Sequence, residues 1–150
     1  MKIISHRGNI NGIVPEKENR PSYIDCALQL GYDVEVDIRY IKNSFYLGHD
    51  TPDFEVSDVW IQSRKDNIWF HCKNSEAAYQ LFLLDKIKYF CHSIDPYVLT
   101  STNHIWVHDL SMITDHSIIP LLDLNSIITY QKYKNVYAIC TDYVDYIKTK

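Results

Sequence analysis

The chain lacks most of the features that betray special architectures. Glycine is scarce, at four of 150 residues, and no stretch reads as a linker, an internal repeat or a low-complexity segment. Its four cysteines, Cys26, Cys72, Cys91 and Cys140, stand singly with no C-x-x-C pair. That spacing argues against a disulfide frame or a zinc knuckle and for the reduced, mostly buried thiols of an intracellular protein. There is no Lys/Arg run, and the formal net charge is −4, so electrostatic wrapping of nucleic acid is not expected. No apolar run is long enough to span a membrane. The opening Met1-Lys2-Ile3-Ile4-Ser5-His6 turns polar too soon for a signal peptide. Together these absences point to a cytoplasmic protein with no nucleic-acid partner and no stable membrane insertion.

What remains is ordinary in bulk: hydrophobic residues make up 46% and charged residues 23%. The length is that of a single domain, residues 1–150, able to bury a proper core. The informative stretch is Asp33-Val34-Glu35-Val36-Asp37-Ile38-Arg39, in which apolar and acidic residues alternate. Period-two alternation with β-branched residues predicts a strand. On it, Glu35 and Asp37 project side by side from one face and Val34, Val36 and Ile38 from the other. Paired carboxylates repel unless a cation or a shared proton relieves them. A divalent cation such as Mg²⁺ or Ca²⁺ fits that need; a water-facing sheet edge is the plainer alternative.

The rest of the chain predicts a repeating pattern. Lys2–Ser5 reads as a buried first strand running into His6-Arg7-Gly8. A polar loop leads to a helix from Pro21 to Leu30, with Gly31 as its C-cap. After the acidic strand, Lys42-Asn43-Ser44 is a turn and Phe45–Leu47 a returning strand that delivers Gly48-His49-Asp50. A short helix fits between Val56 and Trp60. Ile68–Lys73 is a strand with His71 and Lys73 on one face, and a helix capped by Ser75 follows with Ala77, Ala78, Leu81 and Phe82 inward. Further strands are expected at 88–92, 97–100, 105–108 and 137–140, a short apolar segment at 118–121 and a helix from Asn125 to Tyr133. Only four residues separate the strands ending at Thr100 and starting at Ile105, so no helix fits there.

Ionisable residues fall again and again at the C-terminal ends of apolar strands: His6, Glu35, Asp37, His71, Lys73 and His92. Chemistry gathers at that mouth in α/β barrels, but a full (β/α)₈ barrel needs roughly 200 residues or more. The expected fold is therefore α/β, a reduced TIM-like barrel with several helices missing.

Ser5-His6-Arg7-Gly8, Pro15…Glu18-Asn19, Gly31-Tyr32-Asp33-Val34-Glu35-Val36-Asp37 and Leu47-Gly48-His49-Asp50 together resemble the glycerophosphodiester phosphodiesterase family. Order and spacing match its H-R-G, E-N, G-x-D-x-E-x-D and G-H-D elements. His71-Cys72-Lys73 lies where that family carries E-x-K, and Ile139–Tyr143 resembles its last-strand ending. The resemblance implies a phosphodiesterase acting on a small phosphodiester, with His6 and His49 as catalytic acid and base. It implies Glu35, Asp37 and the residue at 71 as ligands of a divalent metal (Mg, Mn or Ca), and Arg7 and Lys73 as phosphate contacts. The chemistry asks for the same types: cations to neutralise a phosphodiester, and imidazoles to move protons near neutrality.

His71 departs from the pattern, since the family has a carboxylate there. Imidazole suits Mn²⁺ or Zn²⁺ better than Mg²⁺ or Ca²⁺. Three outcomes stay open: a changed metal preference, a weaker Mg²⁺ site built on two carboxylates, or lost catalysis. The alternatives to a hydrolase are accordingly a non-catalytic phosphate-binding module and a lyase that releases a cyclic phosphate. His92 and His108 are read as satisfying local hydrogen bonds, Trp106 as core, and Cys72 and Cys140 as inert core thiols.

Overall fold

The computed structural model describes residues 1–150. In chain order it runs β1 (Lys2–His6), α1 (Pro21–Gln29), β2 (Asp33–Ile41), β3 (Ser44–Leu47), β4 (Phe54–Val56), α2 (Asp58–Gln62) and β5 (Ile68–Cys72). There follow α3 (Ser75–Leu83), β6 (Lys88–Phe90), β7 (Tyr97–Leu99), β8 (Ile105–Val107), β9 (Ser117–Pro120), α4 (Leu124–Ile128), β10 (Ala138–Thr141) and α5 (Val144–Lys148).

The acidic strand β2 is the spine of the sheet. It pairs in parallel with β1 on one side and with β5 on the other. From there the sheet curls through eight strands in the order β6-β5-β2-β1-β10-β9-β8-β7. All neighbours are parallel except the β7–β8 hairpin, whose tight connection is the one expected from the four-residue gap. The turn that follows β7 reaches β6 at the other end of the sheet: the Ser101 amide donates to the Tyr89 carbonyl at 2.9 Å, and the Tyr89 amide donates to Ser101 Oγ at 2.9 Å. The far half of β2 bends away from β1 and carries the antiparallel extension β3–β4. Lys42 and Asn43 both have positive φ, 50° and 63°, the backbone that a two-residue hairpin turn demands.

Alternation sorts the side chains into layers. Ile4, Trp69, Phe90, Trp106, Ile118, Ala138 and Cys140 point inside the curled sheet and fill its closed end. On the outside, Val34, Val36, Ile38 and Phe70 pack under Ile24 and Ala27 of α1, Ile61 of α2, and Ala77 and Leu81 of α3. A second outer layer joins Ile119, Val107 and Ile139 to Ile127 of α4 and Ile147 of α5. The stretches after β6, β7 and β8 carry no α-helix, which is how 150 residues accommodate the sheet.

Several local expectations change. The helix after Asp123 stops at Ile128 and continues only as a 3₁₀ segment over Tyr130–Tyr133, because Ile127, Ile128 and Thr129 are consecutive β-branched residues. Asn74, not Ser75, caps α3 by accepting from the Ala77 amide. Phe82 faces water rather than the core, leaving Ala77 and Leu81 to anchor the helix. Strand β4 and helix α5 were not expected, since three and five residues are too short to show a period.

Candidate active site

The C-terminal mouth of the sheet is assembled by register. His6 of β1 lies beside Glu35 of β2, and Asp37 of β2 lies beside His71 of β5. Because Glu35, Asp37 and His71 all point inward, one ligand atom from each lies within 4.8 Å of the others. His71 Nδ1 is 3.6 Å from Glu35 Oε1 and 3.3 Å from Asp37 Oδ1. The other ring nitrogen, Nε2, is 3.1 Å from the carbonyl of His92. A carbonyl only accepts, so Nε2 must carry a proton and Nδ1 is the nitrogen turned to the carboxylates. A neutral ring so held would aim a lone pair at two anions. Only a proton or a metal ion between them makes the arrangement favourable.

Without a metal, the proton takes that place. Burial works against a charged His71, but contact with Asp37 and Glu35 outweighs it and pushes its pKa up to about 9. Asp37 is the mirror image. Burial favours its neutral form, yet His71, Arg7 and Asn19 hold it well below the usual carboxylate range. Sequence spacing alone predicts two repelling carboxylates; the fold surrounds them with cations. Arg7 Nε sits 2.9 Å from Asp37 Oδ2, and Lys73 Nζ sits 3.7 Å from Oδ1.

The residues also fit a metal. Glu35 Oε2 and Asp37 Oδ1 are buried and make no hydrogen bond, and such orphans are uncommon inside proteins. Two carboxylate oxygens and an imidazole nitrogen with its far side fixed form an open three-donor set. Such a mixed set suits Mn²⁺ or Zn²⁺ more than an all-oxygen cage would.

His6 is held in a different way. Its Nδ1 is 2.8 Å from Asp142 Oδ1, and Asn9 Nδ2 donates to the same oxygen at 2.7 Å. Asp142 therefore fixes the tautomer and leaves Nε2 free, 3.8 Å from Glu35 Oε2. Burial lowers the His6 pKa, but the Asp142 bond and the Glu35 charge override it and the net shift is upward. The last-strand ending is visible in the sequence, but nothing there assigned Asp142 to His6, 136 positions away. Asn19 is a second such partner. Its Oδ1 accepts from the Asp37 amide at 2.9 Å and its Nδ2 donates to Asp37 Oδ2 at 3.0 Å. Glu18 anchors Arg7 through Nη1 at 3.0 Å and accepts from Asn9 at 2.8 Å.

His49 arrives on the loop after β3. Gly48 has φ of +142° and donates its amide to the Asp37 carbonyl at 3.1 Å, and a Cβ there would meet the Thr51 carbonyl at 2.1 Å. Glycine is thus required for the loop to reach the mouth. His49 lines a cleft of about 200 Å³ together with Arg7, Glu18, Asn19 and Asp53. Its side chain is 42% exposed and pairs with Asp50 at 2.7 Å, whereas His6 is 14% exposed. Arg39, unforeseen as a site residue, shares the face of Glu35 and Asp37 and donates to the His49 carbonyl at 2.9 Å. The larger depression of about 660 Å³ beside β3 and β4 contains none of these residues.

The structure thus brings His6, Arg7, Glu35, Asp37, His71 and Lys73 into one cluster, with His49 across a small cleft from Arg7. His92 keeps to the local role expected of it, with its Nε2 2.9 Å from the Asp95 carbonyl, and its ring stacks on His108 at 3.6 Å. No helix of the chain is long and apolar enough to cross a membrane.

No family model matches the sequence, and no curated protein does. Solved structures do. Glycerophosphodiester phosphodiesterase from Agrobacterium tumefaciens str. C58 is similar with a TM-score of 0.53 and 15% identity, over 100% of both chains. A protein of Galdieria sulphuraria provisionally assigned as a glycerophosphodiester phosphodiesterase gives a TM-score of 0.57 at 12% identity, covering 99% of this chain and 96% of its own. Along its whole length the chain shares the fold of these two structures.

Proposed function

We propose that the protein is a metal-dependent phosphodiesterase on a reduced TIM-like barrel, hydrolysing a small phosphodiester of the glycerophosphodiester kind. One observation carries this reading. Glu35 and Asp37 each bury a carboxylate oxygen that makes no hydrogen bond, and both turn a ligand atom to His71, whose other ring nitrogen is already committed. Glu35, Asp37 and His71 would hold the metal, which when bound supplies charge to neutralise the phosphate.

The chain's own groups do the rest. Arg7 and Lys73 present positive charge at the same edge and hold phosphate oxygens. His6, with Nδ1 committed to Asp142, exchanges protons through Nε2. His49 exchanges protons from the other side of the cleft. One of the two takes the proton from an attacking substrate hydroxyl, and the other gives a proton to the departing alkoxide. The cyclic phosphate so formed is opened by water in a second, reversed exchange. A cleft of about 200 Å³ suits a compact diester rather than a polymer. The same reading places the protein in the cytoplasm with no nucleic-acid partner.

Release of choline from glycerophosphocholine, which carries a hydroxyl next to its phosphodiester, in the presence of Mn²⁺, abolished by chelation and by Glu35→Gln, is the expected result. No release with any of Mn²⁺, Mg²⁺, Ca²⁺ or Zn²⁺ would leave the second reading, a non-catalytic phosphate-binding module. That reading draws on the imidazolium of His71, which can stand permanently where a metal would otherwise sit. A lyase ending at the cyclic phosphate would show that product in phosphorus NMR.

A further inference from the structure

The outer face of the β5–β6 pair carries two thiols that the site does not use. The register of these parallel strands runs Trp69↔Lys88, Phe70↔Tyr89, His71↔Phe90, which sets Cys72 opposite Cys91 at the next step. The strands are still together there, since His71 Nε2 reaches the His92 carbonyl at 3.1 Å. His71 and Phe90 stack on the inside, so Cys72 and Cys91 both turn outward. Both line one surface depression of about 340 Å³ with Lys73, Asn74, His92 and Asp95. Neighbouring strands lie about 4.8 Å apart, within the span of roughly 4.4–6.8 Å between Cα atoms that a disulfide bridges. Cys91 is exposed and Cys72 buried behind it, the order needed for one thiol to meet an oxidant and the other to resolve it. In the sequence Cys72 reads as an inert core thiol and Cys91 only as one of four single cysteines; nothing pairs them across 19 positions.

We propose that Cys72 and Cys91 form a dithiol modification site, oxidised by a peroxide to an intramolecular disulfide and able to chelate a trivalent arsenical. The Cys91 thiolate attacks one peroxide oxygen, the O–O bond breaks, and a sulfenic acid forms as the first water leaves. The Cys72 sulfur then attacks the Cys91 sulfur, the S–O bond breaks, and its proton leaves with the hydroxyl as a second water. Two thiols lose two electrons in total, and hydrogen peroxide takes them up as it becomes two waters. The crosslink joins the C-terminal ends of β5 and β6, next to His71, Lys73 and His92.

Hydrogen peroxide treatment of the full chain, quenching with N-ethylmaleimide and peptide mass mapping test the step directly. A Cys72–Cys91 crosslinked peptide within one molecule is expected, with Cys26 still alkylated. Phenylarsine oxide should bind one to one, about 100-fold more weakly in Cys72→Ser and in Cys91→Ser, as loss of a second tethered contact implies. Cys26→Ser should bind like the wild type. Three results would overturn the proposal: Cys91 advancing to sulfinic acid while Cys72 stays reduced, crosslinks only between molecules, or undiminished arsenical binding in folded Cys91→Ser. Should Cys72→Ser fail to fold by circular dichroism, the wild-type map and Cys91→Ser decide alone.

Discussion

Strand β2 holds three inward carboxylates in a row, and its two ends treat them oppositely. At the closed end, Asp33 accepts from Lys2 Nζ at 3.0 Å, Asn67 Nδ2 at 3.0 Å and Trp69 Nε1 at 3.2 Å, with Lys88 Nζ at 3.9 Å. Both of its oxygens are satisfied. At the open end, Glu35 Oε2 and Asp37 Oδ1 have no hydrogen-bond partner although both residues are buried. The residue types match, the strand is one, and the spacing is the same. A carboxylate whose lone pairs are all engaged serves the fold; one left short beside cations and imidazoles is a candidate for binding or chemistry.

The sharpest way to break this comparison is to remove the proton carriers. Replacing His6 by Ala should lower turnover of glycerophosphocholine by about 10³-fold, the scale of general acid–base loss. Replacing His104, a ring packed against Tyr137 at the closed end, should leave turnover within about twofold of wild type in the folded protein. Equal losses in steady-state assays would erase the distinction between the ends.

Stability should move the other way. Asp33→Ala strands Lys88 and the Trp69 N–H and should cost about 3 kcal/mol in urea unfolding. Glu35→Gln should change metal-free stability by less than about 1 kcal/mol while weakening Mn²⁺ binding by at least about tenfold in calorimetric titration. Asp37 stands between the two cases, because Arg7 and Asn19 depend on it, so Asp37→Ala should destabilise the metal-free protein as well.

A pH series sharpens the open end further. The His71 pKa rises from 6.5 to about 9 on folding, so its protonated form stabilises the metal-free protein fully below pH 6.5. That contribution is lost as pH climbs through 9, and thermal melts should show midpoints falling between pH 7 and 9. His6 is shifted in the same direction, so His71→Gln should reduce the fall without abolishing it. Metal must displace the His71 proton, so Mn²⁺ affinity should rise with pH toward 9. An unperturbed histidine would place that rise near pH 6 to 7; the surrounding carboxylates move it upward. The smallest expected effect is His71→Glu, which should tilt preference from Mn²⁺ or Zn²⁺ toward Mg²⁺ by supplying a third oxygen. Unchanged relative affinities in competition titrations would show that position 71 does not ligate.

Much of this was legible along the chain because it is local. Alternation in Val34-Glu35-Val36-Asp37 fixes which side chains share a face, whatever the strand packs against. Gly48-His49-Asp50 is read off the turn at Lys42-Asn43-Ser44 and the short strand that follows it, although only the structure shows why position 48 excludes a Cβ. The four residues between Thr100 and Ile105 forbid a helix on length alone. The curl of the sheet, in contrast, is a property of eight strands at once. It decides that Asp142 meets His6, that Asn19 clasps Asp37, that Asp33 is neutralised while its neighbours are not, and that Cys72 faces Cys91. Sequence periodicity carries the direction of a side chain but no information about which strand lies beside it. Only tertiary pairing supplies the partners, and with them the shifted titration of His6, Asp37 and His71.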